Sequence, residues 1–205
     1  MPRNCTILPD CYSQMEKIDL QNHKRTAVLV NILSLALFLA ALIPLFCFTD
    51  VSSLINAALN NMGNKTFIAM AAMFAGLILY LSLHELTHGV FMRIFSKTGV
   101  KYGFSGLYAY AGSTAYFNKR SYIIIALAPV VIWGIIFAVL TLSTYASYRT
   151  CFCIFYILGA FNLSGSAGDL YMAVKTGRMD NGILIRDSGT EMVVFGTAEK
   201  YRSPN

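Results

Sequence analysis

Residues 84–88 read His84-Glu85-Leu86-Thr87-His88, inside an apolar run long enough to cross a membrane. Side chains four apart share one face of a helix, so both imidazoles can reach a single metal ion. Glu85, between them, is placed to act as a base on a water molecule rather than to bind the ion. Histidine and glutamate are costly in hydrocarbon, and ionisable residues there are functional candidates by default. The plain alternative is a helix end with two satisfied histidines. Other parts of the chain converge on the same site and weigh against it.

A catalytic zinc takes three protein ligands and keeps a fourth position open, so a third ligand is needed. Of the ten acidic residues, only Glu85 and Asp169 fall within apolar spans, which makes Asp169 the third ligand by elimination. Depth agrees. His84 lies some 18 residues, roughly 27 Å, from the outer end of its span, and Asp169 lies about as far along another span of the same direction. The competing role for Asp169 is an interfacial cap or a pair with a lysine. Ser164-Gly165-Ser166-Ala167-Gly168 precedes it; such small residues let helices approach closely and weaken the helix near the metal. Asn162, seven residues upstream, is a candidate to hydrogen-bond a substrate carbonyl or its oxyanion or to orient a ligand, or alternatively to make an interhelical hydrogen bond.

The elements that must hold these groups follow from composition and charge. The chain has 205 residues, 56% hydrophobic and 13% charged, about half the charge content of a soluble domain. Four stretches, at about 27–48, 66–94, 122–145 and 151–174, reach the roughly 20 residues that a helix needs to span. The expected fold is mainly α, a four-transmembrane-helix membrane protein with small β-hairpins on its cytoplasmic face. Its parts are an N-terminal tail (1–26), the membrane-embedded domain (27–174) and a C-terminal tail (175–205) with a hairpin. The first span has too long an apolar core for a cleavable signal peptide, and no small residues at a cleavage position.

Fourteen of the sixteen basic residues lie in residues 1–26, between Arg93 at the end of the second span and Arg120, and in the C-terminal tail. Four spans put these segments on one side, which the positive-inside rule makes cytoplasmic for both termini. The expected location is the cell membrane, multi-pass. The net charge of +6 thus reports orientation and contact with membrane lipids, and makes no case for nucleic acid. Tyr102, Phe104, Tyr108, Tyr110 and Tyr116, interleaved with Gly103, Gly106 and Gly112, read as strand and turn. That segment would serve as an interfacial anchor, or as an edge for an extended substrate to join. Ile183-Leu184-Ile185 and Met192-Val193-Val194-Phe195, flanking Asp187-Ser188-Gly189, read as a second hairpin. The five cysteines form no zinc pattern and count as small hydrophobes, although a bridge from Cys47 to Cys151 or Cys153 is geometrically conceivable. His23, in the N-terminal tail, is expected to be exposed to solvent.

The motif, the Ala126-Leu127-Ala128-Pro129 stretch and the run from Asn162 to Asp169 together resemble a family of small bacterial membrane zincin peptidases. More distantly they resemble the site-2 class of intramembrane metalloproteases. In that class prolines precede a Leu-Asp-Gly triplet, whereas here Ser-Gly-Ser-Ala-Gly precedes Asp169 and Leu170 follows it. The ligand assignment survives this departure; a transfer of substrate type does not. The resemblance implies one zinc ion on His84, His88 and Asp169, with Glu85 as catalytic base. The expected activity is hydrolysis of a peptide bond near the cytoplasmic membrane boundary, in a membrane-protein or peptide substrate. The alternative is a non-catalytic metal-binding membrane protein acting in sensing or partner binding, a role in which Glu85 has no evident use.

Overall fold

The computed structural model describes residues 1–18, 24–48, 50, 63–104 and 109–197. His23, residues 51–62, and Gly106 and Tyr108 of the aromatic segment lie outside them. Among the described residues the helices are α1 (Lys24–Phe48), α2 (Asn64–Ser96), α3 (Lys119–Thr144), α4 (Arg149–Gly165) and α5 (Ala167–Gly177). By length and composition, α1, α2 and α3 are apolar enough to cross a membrane, and α4 with α5 passes the same test when taken together. The first three apolar stretches of the sequence are therefore single helices, the fourth is the bent pair of α4 and α5, and small antiparallel sheets accompany them. All five cysteines are free thiols.

Large apolar side chains remain uncovered along the first three helices, among them Leu35, Leu39 and Ile43 on α1, Phe67 and Phe74 on α2, and Ile135, Val139 and Leu142 on α3. A helix apolar on all sides cannot satisfy every face by packing within so small a protein.

The chain divides into two compact units. One comprises residues 1–30, 83–129 and 168–205, the other residues 31–82 and 130–167. In the first, β1 (Tyr12–Ile18), β4 (Phe117–Asn118), β5 (Leu184–Asp187) and β6 (Met192–Thr197) form an antiparallel sheet of order β1-β6-β5-β4. Of the two central strands, β6 is mainly apolar and buried on both faces, and β5 opens on the fully buried pair Leu184 and Ile185 before it turns polar at Arg186 and Asp187. Ile185, Met192 and Val194 pack with Met92 of α2, Tyr122 and Ile125 of α3 and Met172 of α5. The alternate residues Leu184, Val193 and Phe195 are covered by Cys5, Leu8, Tyr12 and Tyr116. A separate hairpin pairs β2 (Val100–Phe104) with β3 (Ala109–Ser113).

β1 lies in a stretch whose polar composition carries little strand signal. It is held as an edge by its register with β6 and by ion pairs of Glu16 with Lys175 and of Lys17 with Glu191. Asn4 ties the end of α2 to the start of α3. Its amide donates to the Phe95 carbonyl (3.1 Å) and the Ser121 hydroxyl (3.0 Å), and its oxygen accepts the Asn118 N–H (2.8 Å). Asn118 in turn caps α3 by accepting the Ser121 N–H.

In the second unit, Tyr80, Phe137 and Leu158 form a core with Trp133 and Phe155 around them. The Tyr156 hydroxyl donates to the Ala41 carbonyl of α1 at 2.5 Å.

Gly112 of β3 lies against the turn between β5 and β6: a Cβ there would come within 2.0 Å of the Ser188 carbonyl oxygen. Gly112→Ala must push the turn away from the hairpin. The expected cost is about 1–3 kcal/mol, as for overpacking elsewhere, read as a lowered thermal midpoint in detergent. Gly99→Ala, where nothing lies within 4 Å, should change it by less than about 0.5 kcal/mol. Equal behaviour of the two variants would show that the turn does not rest on β3.

Candidate metal centre

The regular helix through residues 64–96 puts His84 and His88 on one face. Their rings stand edge to face with centroids 4.9 Å apart, and both residues are buried. The donor atoms of His84, Glu85 and His88 lie within 4.8 Å of one another.

Asp169 reaches the same place from a different helix. α4 ends at Gly165 and α5 begins at Ala167, so the run of small residues does break the helix. The break puts Asp169 in the first turn of α5, where free N–H groups and the helix dipole favour a carboxylate. Its Oδ2 lies 3.2 Å from His84 Nε2 and its Oδ1 lies 3.5 Å from His88 Nε2. Two donors held about 2.0–2.1 Å from a tetrahedral ion are separated by about 3.3 Å. The donor chemistry of the three side chains, and the distance of Asp169 from each imidazole, thus suit zinc.

Glu85 is held differently. Its carboxylate stands beside the two imidazoles and also has the backbone N–H of Ala111 in β3 near it. His88 has a second partner, its Nδ1 lying 2.9 Å from the Ile125 carbonyl of α3.

Sequence reasoning named His84, Glu85, His88 and Asp169, and the structure brings these four together. Asn162 belongs to the second unit, where it is buried. Its oxygen accepts the Tyr80 hydroxyl (3.1 Å) and its amide donates to the Val130 carbonyl (3.0 Å). Of the roles open to it, these contacts favour the interhelical one.

Not foreseen were Ala111, Ile125, Tyr122 and Asp187. The first two act through their backbone, which no residue type announces. The Tyr122 hydroxyl donates to Asp187 (3.2 Å), which also accepts the Gly189 N–H (2.8 Å). Gly189 itself has φ +89°, the left-handed conformation that a turn residue supplies. Burial pushes the Asp187 carboxyl above the usual carboxylate range, against the pull of the Gly189 N–H, His88 and the Tyr122 hydroxyl.

A carboxyl raised in the folded state contributes stability that is fully present below its ordinary value, near 4, and is lost as pH rises through the folded value. In metal-free protein, Asp187→Asn should therefore gain thermal stability relative to wild type as pH rises from about 4 to 8. A difference independent of pH would rule out a raised carboxyl.

A family model described as "Putative zincin peptidase" matches residues 77–184. That is more than half of the chain, and the chain belongs to this family. The matched stretch takes in the motif, Pro129, Asn162 and Asp169. Neither a curated protein nor a solved structure matches the chain.

Proposed function

We propose that this chain is a membrane-embedded zinc metallopeptidase that hydrolyses a peptide bond near the cytoplasmic membrane boundary. The observation that carries the reading is the Asp169 carboxylate lying 3.2 and 3.5 Å from the two motif imidazoles, with Glu85 beside them. His84, His88 and Asp169 hold one zinc ion. When bound, zinc supplies Lewis acidity that polarises a carbonyl and acidifies water.

Glu85 takes the proton of the attacking water on its carboxylate and delivers it to the leaving amine nitrogen. The Ala111 N–H keeps that carboxylate oriented through both transfers. Asp169 supplies the negative charge that two neutral imidazoles lack, and so balances part of the ion's charge in a poorly solvated site.

The uncovered apolar flanks of α1, α2 and α3 suit acyl chains. The bias of basic residues suits a multi-pass arrangement with both termini in the cytoplasm. Under that arrangement the motif and Asp169 sit towards the inner ends of their spans, and the sheets face the cytoplasm. The substrate is a peptide or membrane protein that offers an unwound segment at this depth, because a regular helix keeps its carbonyls in its own hydrogen bonds.

Two substitutions test the assignment on purified full-length protein. Glu85→Gln should retain zinc while peptide cleavage falls by about 10²–10⁴-fold, the usual scale of lost acid–base catalysis. Cleavage that survives this change would sink the mechanism. Asp169→Ala should weaken zinc binding by more than the roughly 10–100-fold typical of losing a group that only supports a ligand. Unchanged zinc occupancy would put the third ligand elsewhere.

A further inference from the structure

α3 continues through Pro129, a fully buried residue in its interior. In a regular helix the N–H of residue 129 donates to the carbonyl four residues earlier, that of Ile125. Proline has no N–H to give, and its ring crowds that same carbonyl and tilts it off the helix axis. A buried carbonyl deprived of its helical donor needs another. At Ile125 the donor is the imidazole of His88, at 2.9 Å.

The chemistry of this contact fixes the ring. A carbonyl oxygen only accepts, so His88 Nδ1 carries the hydrogen. In a neutral imidazole that leaves the lone pair on Nε2, the atom that lies 3.5 Å from Asp169 Oδ1. The hydrogen bond therefore selects both the tautomer and the ring orientation that a metal ligand at Nε2 requires.

We propose that Pro129 is a positioning residue of the metal centre: the N–H it lacks leaves the Ile125 carbonyl to His88, and so holds Nε2 toward Asp169. The inference rests on reading His88 as a zinc ligand, and the two can be tested apart.

The full-length protein in detergent is compared in three forms: wild type, Pro129→Ala, and a form with lactic acid in place of Pro129. The last has an ester in the backbone, with neither ring nor N–H. The readouts are the His88 tautomer, from nitrogen chemical shifts of labelled histidine in metal-free protein, and zinc affinity by chelator competition. His88→Gln identifies the His88 signals.

Pro129→Ala restores the competing N–H. It should shift His88 away from the Nδ1–H tautomer and weaken zinc binding by about 10–100-fold, the usual effect of losing a ligand's supporting hydrogen bond. The ester form should match wild type in both. Wild-type tautomer and affinity within about twofold in Pro129→Ala would overturn the proposal, and so would an ester form that behaves like Pro129→Ala. Should Pro129→Ala not fold, the ester form decides alone: retention supports the missing N–H and loss overturns it. A wild type that shows the tautomer contrast but binds no zinc would refute the metallopeptidase reading and leave the positioning role intact.

Discussion

The contact on which the rest depends is the Asp169 carboxylate set between two imidazoles among apolar helices. A carboxylate in such surroundings is expensive unless it is paired and hydrogen-bonded. A histidine on an apolar helix likewise needs partners for both ring nitrogens. Three elements of the first unit besides α2 supply partners. The break at Ser166 opens a helix start in which Asp169 is favoured. α3 gives a carbonyl to His88, and β3 gives an N–H to Glu85. The polar groups are few, and each is tied to a different part of the chain.

The sheet explains why those parts stay together. Its central strands carry buried residues on both faces, one of them against Met92, Tyr122, Ile125 and Met172, residues of the same three helices that carry or contact the centre. Met92 follows His88 by four residues, so it lies on the same face of α2 one turn further along. The apolar core and the polar cluster are consecutive layers of one helix interface. Displacing a central strand would loosen α2 where His84 and His88 are set against Asp169.

What could be read in the sequence divides along the same line. The long apolar helices were legible from composition, and the two histidines and Asp169 because charge is rare in apolar runs, so that few acidic residues could stand beside the motif. The β2–β3 and β5–β6 hairpins were legible from alternating aromatics, glycines and short apolar runs. β1 was not, since its residues are mostly polar and its place is set by pairing with β6, far away in sequence. Asn4 escaped for a similar reason, its partners lying 91 to 117 residues away. Ile125 had no chance of being noticed as a side chain, because only its carbonyl takes part.

The two acids of the cluster differ in how they are held, and that difference separates their roles. Asp169 meets both imidazoles from a helix start of its own, so its place depends on two helices keeping a fixed distance, as suits a ligand that completes a shared ion. Glu85 shares α2 with both histidines and cannot move far from them, yet its oxygen is turned toward a backbone N–H of the hairpin. A hydrogen bond from a neutral amide orients a carboxylate without neutralising it, and leaves its other lone pairs able to take and return a proton. The same pentapeptide on an isolated helix would leave both carboxylate roles unassigned. The break at Ser166 and the edge of β3 are what make one acid a candidate ligand and the other a candidate base.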